Sequence, residues 1–141
     1  MKTVNIAIDG PAGAGKSTIA KKVSSGMGYI YVDTGALYRT VALYIKENAI
    51  AKENIAESLS GADVSLGFKD GAQRVFLGDR DVSELIRTPE ISMAASEVSA
   101  LPVVREYLFG LQKKIAAENN VLMDGRDIGT VVLPYRYTVR P

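Results

Sequence analysis

The chain has 141 residues, 47% of them apolar and 23% charged, which suits one soluble domain with a real core. A net charge of +1 provides no field that would recruit nucleic acid or a membrane surface. With no cysteine there are no disulfides or thiolate metal sites, and with no histidine imidazole catalysis and most zinc sites are excluded.

In chain order, Thr3 to Ile8 is a short apolar run that reads as a strand. It leads into Gly10-Pro11-Ala12-Gly13-Ala14-Gly15-Lys16-Ser17, which fits the phosphate-loop pattern G-x-x-x-x-G-K-[ST], with Thr18 directly after it. Glycines let backbone N–H groups converge on anionic oxygens. Lys16 can reach the terminal phosphates of a nucleotide, and the Ser17 hydroxyl suits Mg²⁺. A helix follows, with Ile19, Val23 and Met27 at four-residue spacing and Gly28 as its stop. Its positive N-terminal end points at the same anion. Strand, loop and helix come in the order a phosphate loop requires, which a glycine-rich turn carrying a lysine by coincidence would not need to satisfy.

Tyr29 to Val32 reads as a second strand, ending at Asp33-Thr34-Gly35. A helix is expected from about Ala36 to Asn48, with Leu37, Val41, Tyr44 and Ile45 on its apolar face and Tyr38 and Arg39 in its first turn. Alternating strands and helices imply a parallel sheet. Ala51 to Ser60 reads as a short helix. Val64, Leu66 and Phe68 alternate, Asp70-Gly71 and Gly78-Asp79 are turn signals, and Val75 to Leu77 is extended. These form a small antiparallel insert around residues 62–82. Arg74, Arg80 and Arg87 read as a solvated face. Helical patterns fill Ser83 to Asn119, broken by Pro89 and Pro102. Pro102 opens the last helix, whose apolar face is Val104, Leu108, Leu111 and Ile115. Val121 to Met123 is a short buried strand ending in Asp124-Gly125-Arg126-Asp127, and Val131 to Leu133 follows. The fold class is therefore α/β. Its core comprises residues 1–35 and 119–141, and residues 36–118 form an intervening region that carries the insert.

In open parallel sheets ligands collect beyond the carboxyl ends of the strands. Three strand ends here carry polar clusters: Asp9 with the phosphate loop, Asp33 to Arg39, and Asp124 to Asp127. Arg39 and Arg126 could grip a second phosphate with their guanidinium forks, or form salt bridges with nearby acids. Asp127 could serve a ligand, cap a helix or pair with Arg126. Spacing alone makes Ser96 and Arg105 surface residues. The missing histidine fits one reaction. A phosphate acceptor is already anionic, with a second pKa of about 6. Phosphoryl transfer onto it needs mainly positioning and charge neutralisation.

On these residues the chain resembles the bacterial cytidylate kinases, a family of nucleoside monophosphate kinases. The likeness runs from the first strand to about Leu133. It includes I-D-G-P-A-G-A-G-K-S from Ile8, D-T-G-A-L-Y-R from Asp33, and I-R-T-P-E-I from Ile86. It continues with A-A-S-E-V from Ala94, V-R-E from Val104, and D-G-R-D-I-G-T-V-V from Asp124. The resemblance implies an adenylate-kinase-like fold: a core, a monophosphate-binding insert and a lid. It implies ATP and Mg²⁺ as donor and cofactor, and CMP or dCMP as acceptor. Lys16, Arg39 and Arg126 would be catalytic, with Gly10 to Thr18 holding ATP and Ser17 the metal. Arg39 and Arg126 would hold the acceptor phosphate, and Ser96, Arg105 and Asp127 would contact cytosine. Thr34 and Tyr38 would wall the same pocket. A carboxylate can accept from the cytosine 4-amino group but opposes the carbonyl of uracil. A kinase for another monophosphate or a small metabolite, and a nucleotide-binding chain without catalysis, are the competing readings.

No apolar run is long enough to span a bilayer, and the N-terminus enters the first strand directly. A cytoplasmic chain without nucleic-acid or membrane partners is expected. The family continues past the D-G-R-D motif with a further core strand, an arginine-rich lid and the segment enclosing adenine. Tyr135 to Pro141 do not read as that strand. The family form is expected to be monomeric, whereas this chain would leave apolar surface that favours self-association. Losing a charge-neutralising arginine costs phosphoryl transfer about 10³-fold or more. This chain alone is therefore expected to be weakly active or inactive. A coupled assay with CMP and ATP checks this, and turnover at an ordinary kinase rate would refute it.

Overall fold

A computed structural model of the chain describes residues 5–9, 21–22, 26, 28–69, 72–125 and 137–139. The segments holding Gly10 to Thr18, Ile19, Val23 and Met27, the Asp70-Gly71 turn, Arg126, Asp127 and Val131 to Leu133 lie outside the described residues. Two compact units are present. One comprises residues 1–34, 70–72 and 109–141, and the other residues 35–69 and 73–108.

The first unit is built on a four-stranded sheet. Its strands are β1 (Asn5–Asp9), β2 (Ile30–Asp33), β6 (Val121–Gly125) and β7 (Tyr137–Val139), in the order β2-β6-β1-β7. Each neighbouring pair is parallel. Val121, Leu122 and Met123 are completely buried. An unbroken apolar run is what a strand flanked on both sides and covered on its faces requires. Leu122 packs with Ile6 and Tyr31. Gly28 has a φ of +72°, the left-handed value that suits a helix end before β2.

β7 corrects one expectation. Residues after Tyr135 do not read as a further core strand, yet Tyr137–Val139 pairs in parallel with β1, matching Ile6 with Tyr137 and Ile8 with Val139. A Tyr-Thr-Val run has strong strand preference even at three residues, a length too short to give a periodic signal.

Helix α1 (Thr34–Glu47), which lies in the second unit from Gly35 on, starts two residues earlier than expected, directly after β2. Tyr38 and Arg39 therefore fall in its second turn, not its first. Leu37 and Val41 are fully buried, joined by Ala36, Ala42 and Leu43, while Tyr44 and Ile45 are only half-buried. The Tyr44 hydroxyl donates to the Ser58 carbonyl at 2.9 Å. The expected helix from Ala51 to Ser60 is instead a chain of three short turns. A 3₁₀ turn (Lys52–Asn54) leads into one α-turn, α2 (Ile55–Ser58), and a second 3₁₀ turn (Leu59–Gly61). Only Ile55 and Leu59 of these residues are buried, too few to hold a straight helix against the unit.

The antiparallel insert forms as read. Strands β3 (Val64–Lys69), β4 (Ala72–Leu77) and β5 (Arg80–Asp81) make one sheet in that order, and β4 and β5 run antiparallel. Gly78 turns the chain between β4 and β5 with a φ of +62°. Its inward side chains include Val64, Val75 and Val82. Pro89 and Pro102 both open helices: α3 (Pro89–Val98), capped by Thr88, which accepts from Ile91 N–H at 3.2 Å, and α4 (Pro102–Glu118). The buried stripe of α4 is Val104, Leu108, Gln112 and Ala116, not Val104, Leu108, Leu111 and Ile115; Leu111 and Ile115 are half-buried. A four-residue spacing through a glutamine conceals that stripe from a reading that looks for apolar residues.

Of the three arginines expected on a solvated face, Arg80 and Arg87 are exposed and Arg74 is half-buried, and two of them pair with acids there. Arg74 Nε donates to Asp81 Oδ2 at 2.9 Å and its Nη1 reaches Glu84 at 3.5 Å, while Arg80 pairs with Glu47. Arg87 is exposed. Asp81 also receives the Ser83 backbone N–H at 2.9 Å, and the Ser83 oxygen accepts from Val75 N–H. The Ser83 hydroxyl, the Ser83 N–H and Arg74 together draw the Asp81 pKa from 3.8 down to about 2. A depressed carboxylate pKa stabilises the fold above the unfolded value, and that contribution is lost as pH falls through the folded value. The stability difference between wild type and Asp81→Asn should therefore be full above about pH 5 and vanish near pH 2, a window set by the carboxylate reference value. Thermal melts of both proteins across that range check it.

Candidate functional site

The first unit aligns its strand ends at one edge. In the parallel register Asp33 stands beside Asp124, Ile8 beside Asp124, and Asp9 beside Gly125. β1 thus delivers the chain to Gly10, and β6 delivers it to Arg126, from neighbouring strands. Asp124 is 4% exposed and is held at two points. The Thr34 hydroxyl donates to its backbone carbonyl at 2.9 Å, and the Tyr31 phenol donates to its Oδ2 at 2.9 Å. The Lys21 ammonium lies 5.9 Å from the centre of the Tyr31 ring, within cation–π range.

This placement alters the picture of Thr34. Its side chain is almost completely buried and its hydroxyl is committed to the main chain of β6. As the first residue of α1 it ties the start of that helix to the strand that precedes Arg126 and Asp127. In the sequence Tyr31 stands as one residue of an apolar strand. The available sequence signal was its alternation: Tyr31 is two residues before Asp33 and pairs with Leu122, two residues before Asp124. Period-two geometry puts Leu122 and Asp124 on one face, and Tyr31 packs on Leu122.

In the second unit Tyr38 and Arg39 are half-buried on α1. Ser96 is exposed near the end of α3, its hydroxyl donating to the Ser92 carbonyl at 3.2 Å. Arg105 is half-buried in the first turn of α4, and its backbone N–H reaches the Leu101 carbonyl at 3.1 Å. Ser96 and Arg105 therefore flank the short connection between α3 and α4. Lys16, Ser17, the rest of Gly10 to Thr18, Arg126 and Asp127 lie outside the described residues. No helix among the described residues is long and apolar enough to cross a membrane.

A parallel sheet in the order β2-β6-β1-β7, a phosphate-loop sequence after β1 and an antiparallel insert together define a P-loop kinase fold. The sequence model of the cytidylate kinase family matches residues 6–136. The chain is 53% identical over 137 residues to a cytidylate kinase of Caldicellulosiruptor bescii, covering 95% of this chain and 61% of that protein. It is 56% identical over 135 residues to one from Caldanaerobacter subterraneus subsp. tengcongensis, covering 94% and 58%. Against the cytidylate kinase of Streptococcus sanguinis it is 49% identical over 138 residues, covering 95% and 61%. This chain belongs to the cytidylate kinase family. It spans about 60% of the length of these curated relatives.

Replacing Thr34 with valine keeps the shape and removes one buried hydrogen bond. It should cost about 1 kcal/mol, a few degrees in Tm, because the bond closes a loop of 90 residues between buried partners. Thermal unfolding of Thr34→Val beside Thr34→Ser, which keeps the hydroxyl, checks this. Equal melting temperatures for the two variants would refute it.

Proposed function

We propose that this polypeptide carries the catalytic core of a kinase that transfers the γ-phosphate of ATP to CMP or dCMP. The observation that supports it most directly is the register of β2, β6 and β1. It sets the Asp33, Asp124 and Asp9 ends side by side, at the edge where parallel-sheet enzymes take nucleotides. Family membership points to the same chemistry.

In this reading Gly10 to Thr18 wrap the triphosphate with backbone N–H groups, and Lys16 neutralises charge on the transferring group. Arg39 and Arg126 hold the acceptor phosphate in line with it. Ser96, Arg105 and Asp127 read cytosine, with Asp127 accepting from the 4-amino group. Tyr38 walls that pocket. For Thr34, its buried hydroxyl bond to β6 supports a part in building the pocket floor. Residues 36–118 would act as the acceptor-binding region and residues 1–35 and 119–141 as the donor core. Mg²⁺ fits the oxygen donors present: the Ser17 hydroxyl would hold it, with the buried Asp124 carboxylate on a neighbouring strand end. Bound there, the ion would supply charge neutralisation to the phosphates. The acceptor is already anionic, so no histidine is needed. The composition suits a cytoplasmic enzyme acting on small molecules.

Calorimetry on the 141-residue chain tests this reading. CMP should bind, with UMP and AMP at least tenfold weaker. Lys16→Ala should abolish ATP binding and leave CMP binding intact. Arg39→Ala should weaken CMP about tenfold or more, the size of a lost charge-assisted contact, without changing ATP. Equal affinities for the three monophosphates in a folded sample would overturn the assignment of the acceptor.

A further inference from the structure

Helix α4 carries two weaknesses in one turn. The first is Gln112, which is completely buried, and neither atom of its amide has a hydrogen-bond partner among the described residues. The other buried polar residues differ. The Thr34 and Thr40 hydroxyls bond the Asp124 and Ala36 carbonyls, Ser83 accepts from Val75 N–H, and Asp124 accepts from Tyr31. A buried amide left unpaired destabilises the packing that holds it, because water would satisfy it and the core does not. The second weakness is Gly110, an exposed residue in the helix interior. A Cβ added there would meet nothing among the described residues within 4 Å, so no close approach calls for a glycine. Glycine in a helix interior loses more backbone freedom than alanine does. At 3.6 residues per turn, residues two apart stand on nearly opposite sides of a helix. The solvent side and the core side of α4 are thus weakened in the same turn. The division of the chain into its two compact units also falls here, between Leu108 and Phe109. On either side α4 is better held: Val104 and Leu108 are fully buried before this turn, and Ala116 is 3% exposed after it.

We infer that the turn from Phe109 to Gln112 is a joint built into α4, at which the helix opens locally while the preceding turn and strand β6 stay folded. Opening gives the Gln112 amide to water and releases a glycine from helical order. Both residues therefore lower the cost of opening at this turn. Arg105 lies on the stretch before the joint and Ala116 on the stretch after it. The joint gives the stretch with Arg105 a motion of its own. Acceptor binding can draw on that motion, but the joint stands or falls without the acceptor-site reading.

The test is amide hydrogen exchange of the full chain, read residue by residue by NMR in low concentrations of urea, for wild type, Gly110→Ala and Gln112→Met. Methionine keeps the length of the glutamine side chain and removes its polar atoms. Helical bonds that span the joint are donated by the N–H groups of residues 110–115. In wild type their protection should be about tenfold or more below that of residues 106–108 of the same helix and of Val121–Met123 in β6. It should also be nearly independent of urea, because a local opening exposes little surface. Gly110→Ala should slow exchange at residues 110–115 about fivefold, the size of a helix-interior glycine. Gln112→Met should slow it about tenfold, the size of one unsatisfied buried amide. Both variants should melt a few degrees higher than wild type. Equal protection along α4 and β6, with one shared urea dependence, means that only global unfolding occurs and overturns the inference. Exchange at residues 110–115 that fails to slow in either variant overturns it too. So does faster exchange in Gln112→Met, which shows an amide already satisfied in solution. CMP enters none of these comparisons, so their failure leaves the acceptor-site reading standing.

Discussion

The parallel pairing of β6 between β2 and β1 is the constraint on which the rest of the site depends. Parallel strands bring their carboxyl ends to a common edge, but only a fixed register decides which residues meet there. The apolar run Val121-Leu122-Met123, buried completely, sets that register. A one-residue slip would turn Leu122 off the face it shares with Ile6 and Tyr31 and would turn Asp124 with it. The hydrophobic effect thus places a carboxylate. Burying the three residues before Asp124 fixes where Asp124, and the chain beyond it, must emerge.

A second constraint follows from the first. Helix α1 begins at Thr34 with no loop after Asp33, the last residue of β2. An abrupt strand-to-helix junction leaves the first turn's N–H groups near the sheet edge and gives the side chain at the junction a short reach to the adjacent strand. Thr34 uses that reach to bond the Asp124 carbonyl. Threonine suits this place. Its branched side chain is stiff, so little rotamer entropy is lost, and its hydroxyl can donate within the buried junction. Tyr38 and Arg39 follow one turn further along α1.

The two sheets and the order of most of their strands were legible because each rests on a short-range signal: alternation in Val64, Leu66 and Phe68, and a solid apolar run in Val121 to Met123. Other features were hidden because they depend on long-range partners. β7 takes shape from an open neighbour in β1, and three residues carry no period. Gln112 lies in the buried stripe of α4 despite being polar, and neither of its amide atoms has a partner among the described residues, so only the fold reveals its burial. The acids that pair with Arg74 and Arg80 on the surface, Asp81, Glu84 and Glu47, are brought opposite them only by the fold. Within the candidate site, Arg39 and Tyr38 could be named from their place after a strand end. Ser96 and Arg105 could be named only through family resemblance, because an exposed serine and a half-buried arginine on helices carry no local signal of a ligand.

The two strands flanking β6 supply different kinds of order. β1 contributes backbone pairing and Ile6 packed on Leu122, whereas β2 contributes pairing and two hydroxyls, from Tyr31 and from Thr34 just beyond its end. Both hydroxyls converge on one residue, at its carbonyl and its carboxylate. Thr34 thus fixes the main chain of that strand end and Tyr31 its side chain, so the direction in which β6 leaves the sheet and the rotamer of Asp124 are both set from β2 and the residue that follows it.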